Sequence, residues 1–348
     1  MIKTKDIIIN RFTGLFAFCL LPFAFCDANA YEYNNGRFAA KLTGSGAVGA
    51  FNAKSKDADV IGDWRIRGQA NYAVASGMSL GAVYSIDDLA TWQGYYARDA
   101  FLFFEDKEYG RIEIGMTADI ASKLGVGLPD VGSLRINDYP IFYKEIQPNG
   151  AVISNTTATS GKYDLRASIA TIPTNDWQFG ASVAPVSDHF KYAADFGAKW
   201  RHPDGKTKTA LSLGGGFISA PENFVADIYA PRLTADWRAQ ASAGLNLQYN
   251  SWLFGLTGRA IYDQNAIGVA SDGIVGGIGA SYDLLKYSVS ASYLISDTGI
   301  WESAAPDYIA HTGLLSFRYK YSENVGMWIS GGITTGTPFI GAGLAGKF

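Results

Sequence analysis

The chain is poor in the residues that build disulfides and metal sites. Only two cysteines and three histidines occur among its 348 residues. Both cysteines, Cys19 and Cys26, lie in the first 30 residues, and the histidines are scattered at His189, His202 and His311. We therefore expect neither a disulfide framework nor a metal site made of thiolates or clustered imidazoles. The sequence predicts no cofactor and no metal ion.

Long hydrophobic runs are also scarce. The one clear run, Phe12 to Cys26, follows the basic residues Lys3, Lys5 and Arg11 and precedes the small residues Ala28-Asn29-Ala30. This order is typical of a secretory signal peptide with cleavage after a small residue. The alternative is an N-terminal anchor helix, but the run is shorter than the ~20 residues that a spanning helix needs.

The chain also lacks a strong excess of either charge. We predict a signal peptide over residues 1–30 and one domain over residues 31–348. The signal peptide takes three basic and two acidic residues with it, so the formal net charge of −3 becomes −4. Without a basic excess, no nucleic-acid partner is expected.

What the chain does have is strict alternation of apolar and polar residues from end to end. The longest example runs from Leu233 to Tyr249, where Asp236, Arg238 and Gln240 alternate with apolar residues. Period-two alternation indicates a strand with one apolar face, and a charged opposite face needs water. In a membrane barrel only every second residue of a strand faces lipid, so such a chain needs no long hydrophobic run. The alternation therefore predicts an all-β, transmembrane antiparallel β-barrel.

Tight turns and longer connections alternate along the chain, as an antiparallel barrel requires. Tight turns are predicted at Ser76-Gly77, Asp106 to Gly110, His202 to Gly205, Tyr249 to Ser251, Asp283 to Lys286 and Ser322 to Asn324. Longer polar connections are predicted over residues 52–60, 218–232, 263–272 and 296–308. The count favours 16 strands, or 18 if Phe224 to Ala230 forms a strand.

Aromatic residues gather near the predicted strand ends, where barrels carry girdles at the two lipid–water interfaces. We assign to these girdles Trp64, Trp92, Tyr95, Tyr96, Trp177, Trp200, Trp237, Trp252, Tyr262, Tyr282, Tyr287, Tyr319 and Trp328.

One segment, residues 117–149, breaks the alternation. A connection this long is usually functional or disordered, and its apolar residues, among them Leu124, Val126 and Leu128, argue against disorder. Inside a barrel, the place available for such a loop is the lumen.

The residues before and within this loop carry a family resemblance. Tyr109-Gly110-Arg111 with Gly115, followed by a long loop containing Leu128-Pro129 and then acidic residues, resembles the general porins of Gram-negative outer membranes. The C-terminal Phe348 resembles that family's signal for barrel assembly. The resemblance implies a bacterial outer-membrane channel for small hydrophilic solutes and ions, with one long loop folded into the lumen.

The resemblance also implies a constriction in which basic residues of the wall face acidic residues of the loop. Opposed charges across a narrow wet gap favour polar solutes over apolar ones. The basic candidates on the wall are Lys41, Arg65, Arg67, Arg98 and Arg111. The acidic candidates on the loop are Asp119, Asp130, Asp138 and Glu145.

Porins of this family are usually homotrimers embedded in outer-membrane lipid, so we expect the same partners here, together with the barrel-assembly machinery acting on the C-terminal strand. Two alternatives remain open at this stage. A sugar-selective channel would use an aromatic slide, for which the candidates are Phe101, Phe103, Tyr139, Phe142 and Tyr143. A barrel enzyme or an adhesive barrel is less favoured, because His189 beside Ser187 and Asp188 is the only suggestive grouping and adjacency is not triad geometry. The net charge of −4 favours a weak cation preference.

Overall fold

The computed structural model describes residues 31–53, 59–88, 95–132, 164–185, 191–204, 206–219, 235–265, 270–297, 309–334 and 337–347. The strands are β1 Tyr31–Asn34, β2 Phe38–Ala53, β3 Asp59–Ala75, β4 Met78–Asp88, β5 Tyr95–Asp106, β6 Gly110–Thr117, β7 Asp164–Ala170, β8 Trp177–Ala184, β9 Tyr192–Asp204, β10 Thr207–Ser219, β11 Ala235–Tyr249, β12 Trp252–Asn265, β13 Ala270–Leu284, β14 Tyr287–Asp297, β15 Ile309–Lys320, β16 Val325–Thr334 and β17 Thr337–Lys347. A short helix, α1, spans Ile120–Leu124. None of the helices in the described ranges has the length and apolarity needed to cross a membrane.

Sixteen strands close into a barrel. Each strand from β2 to β17 pairs antiparallel with the next, and β17 pairs back onto β2, with Phe339 opposite Ala53 and Lys347 opposite Ser45. The predicted fold class and the count of 16 are therefore confirmed. The additional strand β1 pairs with Ala39–Leu42 of β2. The ring closes without a strand at Phe224 to Ala230, which lies outside the described residues.

The two ends of the barrel differ in their connections. At one end, here called the short-turn end, successive strands are joined by a few residues, such as Ser76 and Gly77 between β3 and β4 or Asn250 and Ser251 between β11 and β12. The predicted tight turns all lie at this end, although β9 continues to Asp204. The opposite end carries the longer connections, including the one between β6 and β7.

The barrel is apolar outside and largely polar inside. On β12, the outward-facing Trp252 and Leu256 are 44% and 54% exposed, whereas the inward-facing Thr257 and Arg259 are buried. On β11, Arg238 and Gln240 also face inward and are buried, as the alternation predicts. An apolar exterior over a polar lumen is the arrangement that lipid on one side and water on the other require.

Aromatic residues form rows at both ends of the outer surface. At the long-connection end, Trp237 lies 5.9 Å from Phe217 and 5.3 Å from Tyr262, measured between ring centroids. At the short-turn end, the ring centroids of Trp252 and Tyr282 are 4.6 Å apart, with the two rings tilted by 43°. Trp328 does not belong to a girdle, contrary to the prediction: it faces inward and is only 4% exposed.

Candidate functional site

The segment after β6 enters the lumen and is fixed to the inner wall at its start. Helix α1 packs against the inner faces of β8, β9 and β10. The backbone amides of Ile120 and Ala121 donate to Oδ1 of Asp195 at 2.8 and 3.1 Å. Oδ2 of Asp195 pairs with Nη1 of Arg166 at 2.6 Å, and both side chains are fully buried. Because carboxylate oxygens bond strongly to donors in a dry site, Asp195 anchors the loop.

Asp119, predicted as an acidic residue that lines the constriction, is instead buried at the start of α1. It is the N-cap of α1, and its carboxylate accepts from the backbone amide of Ser122 at 2.7 Å and from the hydroxyl of Ser122 at 3.0 Å. Its exposed fraction is 0%. Asp119 therefore stabilises the first turn of the helix and offers no charged surface to solvent.

Beyond α1, serine residues of the wall hold the loop along its course. Ser212 on β10 accepts from the amide of Val126 at 3.0 Å, and Ser292 on β14 donates to the carbonyl of Pro129 at 2.8 Å. Ser290, also on β14, accepts from the amide of Val131 at 3.1 Å. Residues 118–132 thus follow the inner wall from β8 to β14, which confirms the infolding of this part of the predicted loop.

The predicted acidic residue Asp130 lies in this stretch. Its Oδ1 accepts from the amide of Gly132 at 2.9 Å and from the hydroxyl of Ser290 at 3.4 Å, so it sits against β14. It is partly exposed. The structure brings Asp130 to the lumen wall at β14, which is eight strands away from β6 in the ring of sixteen and therefore opposite it.

The loop approaches the wall closely because the wall is glycine-rich beneath it. A Cβ added to Gly244 on β11 would lie 2.6 Å from Cγ2 of Val126, and one added to Gly255 on β12 would lie 2.4 Å from Cδ of Pro129. Val126 and Leu128 are 6% and 8% exposed. The apolar residues of the loop are therefore buried against the wall, and any larger residue at Gly244 would displace them.

A cavity of about 670 Å³ remains between the start of the loop and the wall formed by β3, β5, β6 and β7. Three predicted basic residues, Arg65, Arg67 and Arg111, line it together. The remaining charged residues of its lining are Lys123 of α1 and the wall carboxylates Asp99, Glu105 and Glu113. The described lining therefore carries four cations and three carboxylates.

The charges in this cavity are paired along the wall. Arg111 bonds to Glu113 at 2.9 Å and to Glu105 at 3.2 Å, and Lys123 bonds to Glu113. The guanidinium of Arg67 lies 3.8 Å from Asp99. In the described part, the loop thus supplies a cation and the wall supplies the carboxylates, which is the reverse of the expected division for Lys123 and Glu113.

The other predicted residues lie elsewhere. Lys41 is on β2 near the short-turn end, where it pairs with Glu32 of β1, and it does not line this cavity. Arg98 is in β5, but its side chain is outside the description. Asp138, Glu145 and Phe348 lie outside the described residues.

A second cavity of about 420 Å³ lies nearer the short-turn end, bounded by the turn before β8 and by β9 to β12. Its charged lining consists of Lys199, Arg201 and Lys208 with Asp176 and His202. Pro173 and Gln178 line both cavities, so the two are neighbours.

Sequence reasoning missed the residues that hold this site together. These residues are Arg166, Asp195, Glu113 and Asp99, which all lie on inward-facing positions of strands. The sequence alternation could have identified them as charged residues of the lumen. Their roles depend on contacts between segments that are far apart in the sequence, as with Asp195 and Ile120, which are 75 positions apart. Among the described residues, no group of three or more metal-ligating side chains occurs.

A closed sixteen-stranded barrel with an apolar exterior, a charged lumen and one infolded loop is the porin fold. Among solved structures, the chain is similar to the in-vitro folded outer-membrane protein OmpT of Vibrio cholerae, with a TM-score of 0.68 at 14% identity over 92% of this chain and 100% of that one. It is also similar to the anion-selective porin from Comamonas acidovorans, with a TM-score of 0.60 at 13% identity over 89% of this chain and 100% of that chain.

A third similar structure is OmpF of Salmonella typhi in complex with daunomycin, with a TM-score of 0.62 at 10% identity over 91% of this chain and 100% of that chain. No family model and no curated protein matches the sequence. The likeness therefore lies in the fold.

Proposed function

We propose that the chain is a passive diffusion channel for small hydrophilic solutes and ions in the bacterial outer membrane. The observation that carries this proposal is the loop of residues 118–132, bound along the inner wall, beside a charged cavity of about 670 Å³ inside the lumen. A fixed loop narrows a lumen without closing it, and a charged, wet lining favours polar solutes.

The narrowest passage is proposed to run beside Arg65, Arg67 and Arg111, since these three lie on one wall of the open cavity. Arg98 is proposed to join them from β5. Because Asp119 is buried in its helix cap, the acidic side of the passage is assigned to Asp130, Asp138 and Glu145 of the loop.

General diffusion is favoured over a sugar-selective path. An aromatic slide needs exposed ring faces, but Phe101 and Phe103 are only 6% and 2% exposed. The guanidinium of Arg111 lies 3.8 Å from the ring centroid of Phe103, and the ammonium of Lys123 lies 5.5 Å from that of Phe101. These cation–π contacts leave the two rings covered by charged groups.

A non-enzymatic role is part of the proposal. A serine nucleophile needs a histidine beside it, but the two histidines in the described ranges bond to other residues. Nδ1 of His202 lies 3.0 Å from Oδ2 of Asp176, and Nδ1 of His311 lies 2.5 Å from the hydroxyl of Tyr293. The Tyr293–His311 pair is on outward-facing positions of β14 and β15, and the His202–Asp176 pair lies at the short-turn end.

The proposed mature protein begins at residue 31 after removal of a signal peptide and is assembled through the C-terminal strand ending at Phe348. A homotrimer is proposed because outward positions on β11, among them Ala239, Ala241 and Ala243, are small and permit close contact between barrels. OmpT of Vibrio cholerae has also been solved in a trimer form. Native electrophoresis of unheated extracts in mild detergent tests this, and a species of monomer size would contradict it.

The channel itself is tested by liposome swelling. Vesicles containing the refolded mature chain are diluted into neutral sugars of increasing size, with heat-unfolded protein as the control. A channel gives swelling rates that fall steeply with solute size, and folded protein without swelling for any sugar would refute the proposal.

A further inference from the structure

The cavity near the short-turn end, here called the vestibule, has a strongly one-sided charge. Lys199 and Arg201 on β9 and Lys208 on β10 all line it. In the strand register Lys199 is opposite Ser212 and Arg201 is opposite Ala210. Ser212 is a buried, inward-facing residue, and Lys208 is two residues before Ala210 on the same face of β10, so all three cations are on the inward face. The three cations therefore point into one space inside the barrel.

The described lining holds a single carboxylate against these three cations. That carboxylate belongs to Asp176, whose Oδ2 lies 3.0 Å from Nδ1 of His202. Among the described side chains, neither Arg201 nor Lys208 takes part in an ion pair. Lys199 makes one long contact, 3.4 Å, with the carbonyl of Gly125 in the loop.

Neutral hydrogen-bonding groups complete the lining. The amides of Gln178, Asn246 and Gln248 face the same space, with Gln248 opposite Lys208 in the strand register. A guanidinium offers a planar fork of donors that matches oxyanions, and an ammonium adds a mobile point charge. A volume of about 420 Å³ lies within the range of small-ligand sites.

We propose that the vestibule binds small oxyanions that carry two negative charges, such as phosphate, and that it makes the pore prefer anions. The transport part of this inference rests on the proposed channel function. The vestibule adjoins the larger cavity through Pro173 and Gln178, so an anion that passes Arg67 and Arg111 reaches Arg201 and Lys208 next. The proposed anion preference is opposite in sign to the weak cation preference expected from the net charge, because the local lining and not the whole chain sets the field in a narrow lumen.

Binding is tested without reference to transport. The folded mature barrel in non-ionic detergent is titrated with inorganic phosphate in a calorimeter at low ionic strength, together with the variants Arg201→Gln and Lys208→Gln. The matched control is Lys206→Gln, which removes one positive charge from the turn between β9 and β10 but lies outside the cavity lining. Each cavity variant should bind phosphate at least about fivefold more weakly, since one unit charge at contact distance in water is worth roughly that factor. The control should stay within about twofold of the wild type.

The outcomes separate this inference from the proposed channel. Absent heat with the wild type, or equal affinity in all variants and the control, would overturn the anion site even if the barrel conducts. Saturable binding that weakens only in the cavity variants supports the site even if the barrel does not conduct. In planar bilayers under a KCl gradient, the reversal potential should have the sign of anion preference and move towards zero in Lys208→Gln; a cation-selective wild type would overturn the selectivity part.

Discussion

Replacing Asp195 with asparagine should release the loop while leaving the barrel closed. The amide oxygen of asparagine still accepts from the backbone of Ile120 and Ala121, but the charge that balances Arg166 is lost. Both side chains of the Arg166–Asp195 pair are 0% exposed, and they lie 2.6 Å apart. Removing one partner of such a buried pair leaves an uncompensated charge, which costs about 3–5 kcal/mol.

That cost falls on the loop rather than on the barrel. Arg166 on β7 and Asp195 on β9 lie beneath α1, so release of α1 lets water reach the uncompensated guanidinium of Arg166, whereas the hydrogen-bond ladders of both strands remain intact. A penalty of about 3–5 kcal/mol shifts the equilibrium between docked and released loop by roughly two to four orders of magnitude. We expect a larger single-channel conductance and greater open-channel noise in Asp195→Asn.

The matched control is Asp283→Asn. Like Asp195, Asp283 pairs with a basic residue, in this case Lys320 at 2.5 Å, but the side chain of Asp283 is 59% exposed at the short-turn end. An exposed pair is worth only about 0–1 kcal/mol, so this variant should conduct like the wild type. Folding of both variants is checked by gel electrophoresis, in which a folded barrel migrates differently before and after heating. A folded Asp195→Asn barrel with wild-type conductance and noise would refute the assignment of Asp195 as the anchor.

Three further changes probe other parts of the site. Gly244→Ala should alter the conductance and lower the free energy of unfolding by about 1–3 kcal/mol, because the added methyl group overpacks the wall beneath the loop. The control is Gly258→Ala, whose added Cβ would be 3.8 Å from its nearest neighbour; its conductance and denaturation midpoint should be unchanged. Glu113→Gln removes the carboxylate shared by Arg111 and Lys123, so the reversal potential should move towards anions at low salt, with a smaller change at 1 M salt because of screening; a move towards cations would contradict the charge arrangement. Trp328→Ala should lower barrel stability by about 3–5 kcal/mol in denaturant titrations, because this side chain is buried inside the barrel, and an unchanged midpoint would place it on the lipid face instead.

The barrel was predictable because its physics is local and repetitive. Strands such as β11 have an unambiguous phase, since Arg238 and Gln240 cannot face lipid. Strand β16 shows where this reasoning fails: Met327, Trp328 and Ile329 are all apolar, so alternation does not say which of them faces inward. The structure turns Trp328 inward, where Gly49 on β2 leaves room for its ring.

The site was less predictable because it depends on contacts between distant segments. The infolding of the loop followed from its apolar composition, and the grouping of Arg65, Arg67 and Arg111 followed from their inward phase. The burial of Asp119 did not, since a carboxylate before a short helix serves equally as a cap or as a lining charge. Nor did the vestibule, because Arg201 and Lys208 come together only once the register of β9 and β10 is known.

The most direct test of the account is the single-channel conductance of the refolded mature chain in a planar bilayer, before and after deletion of residues 120–145. We expect stable stepwise conductance that rises markedly on deletion, because the loop that narrows the lumen is gone while the sixteen-stranded wall remains. Folded protein with no conductance in either form would contradict the channel, and equal conductance in both forms would contradict the loop as its constriction.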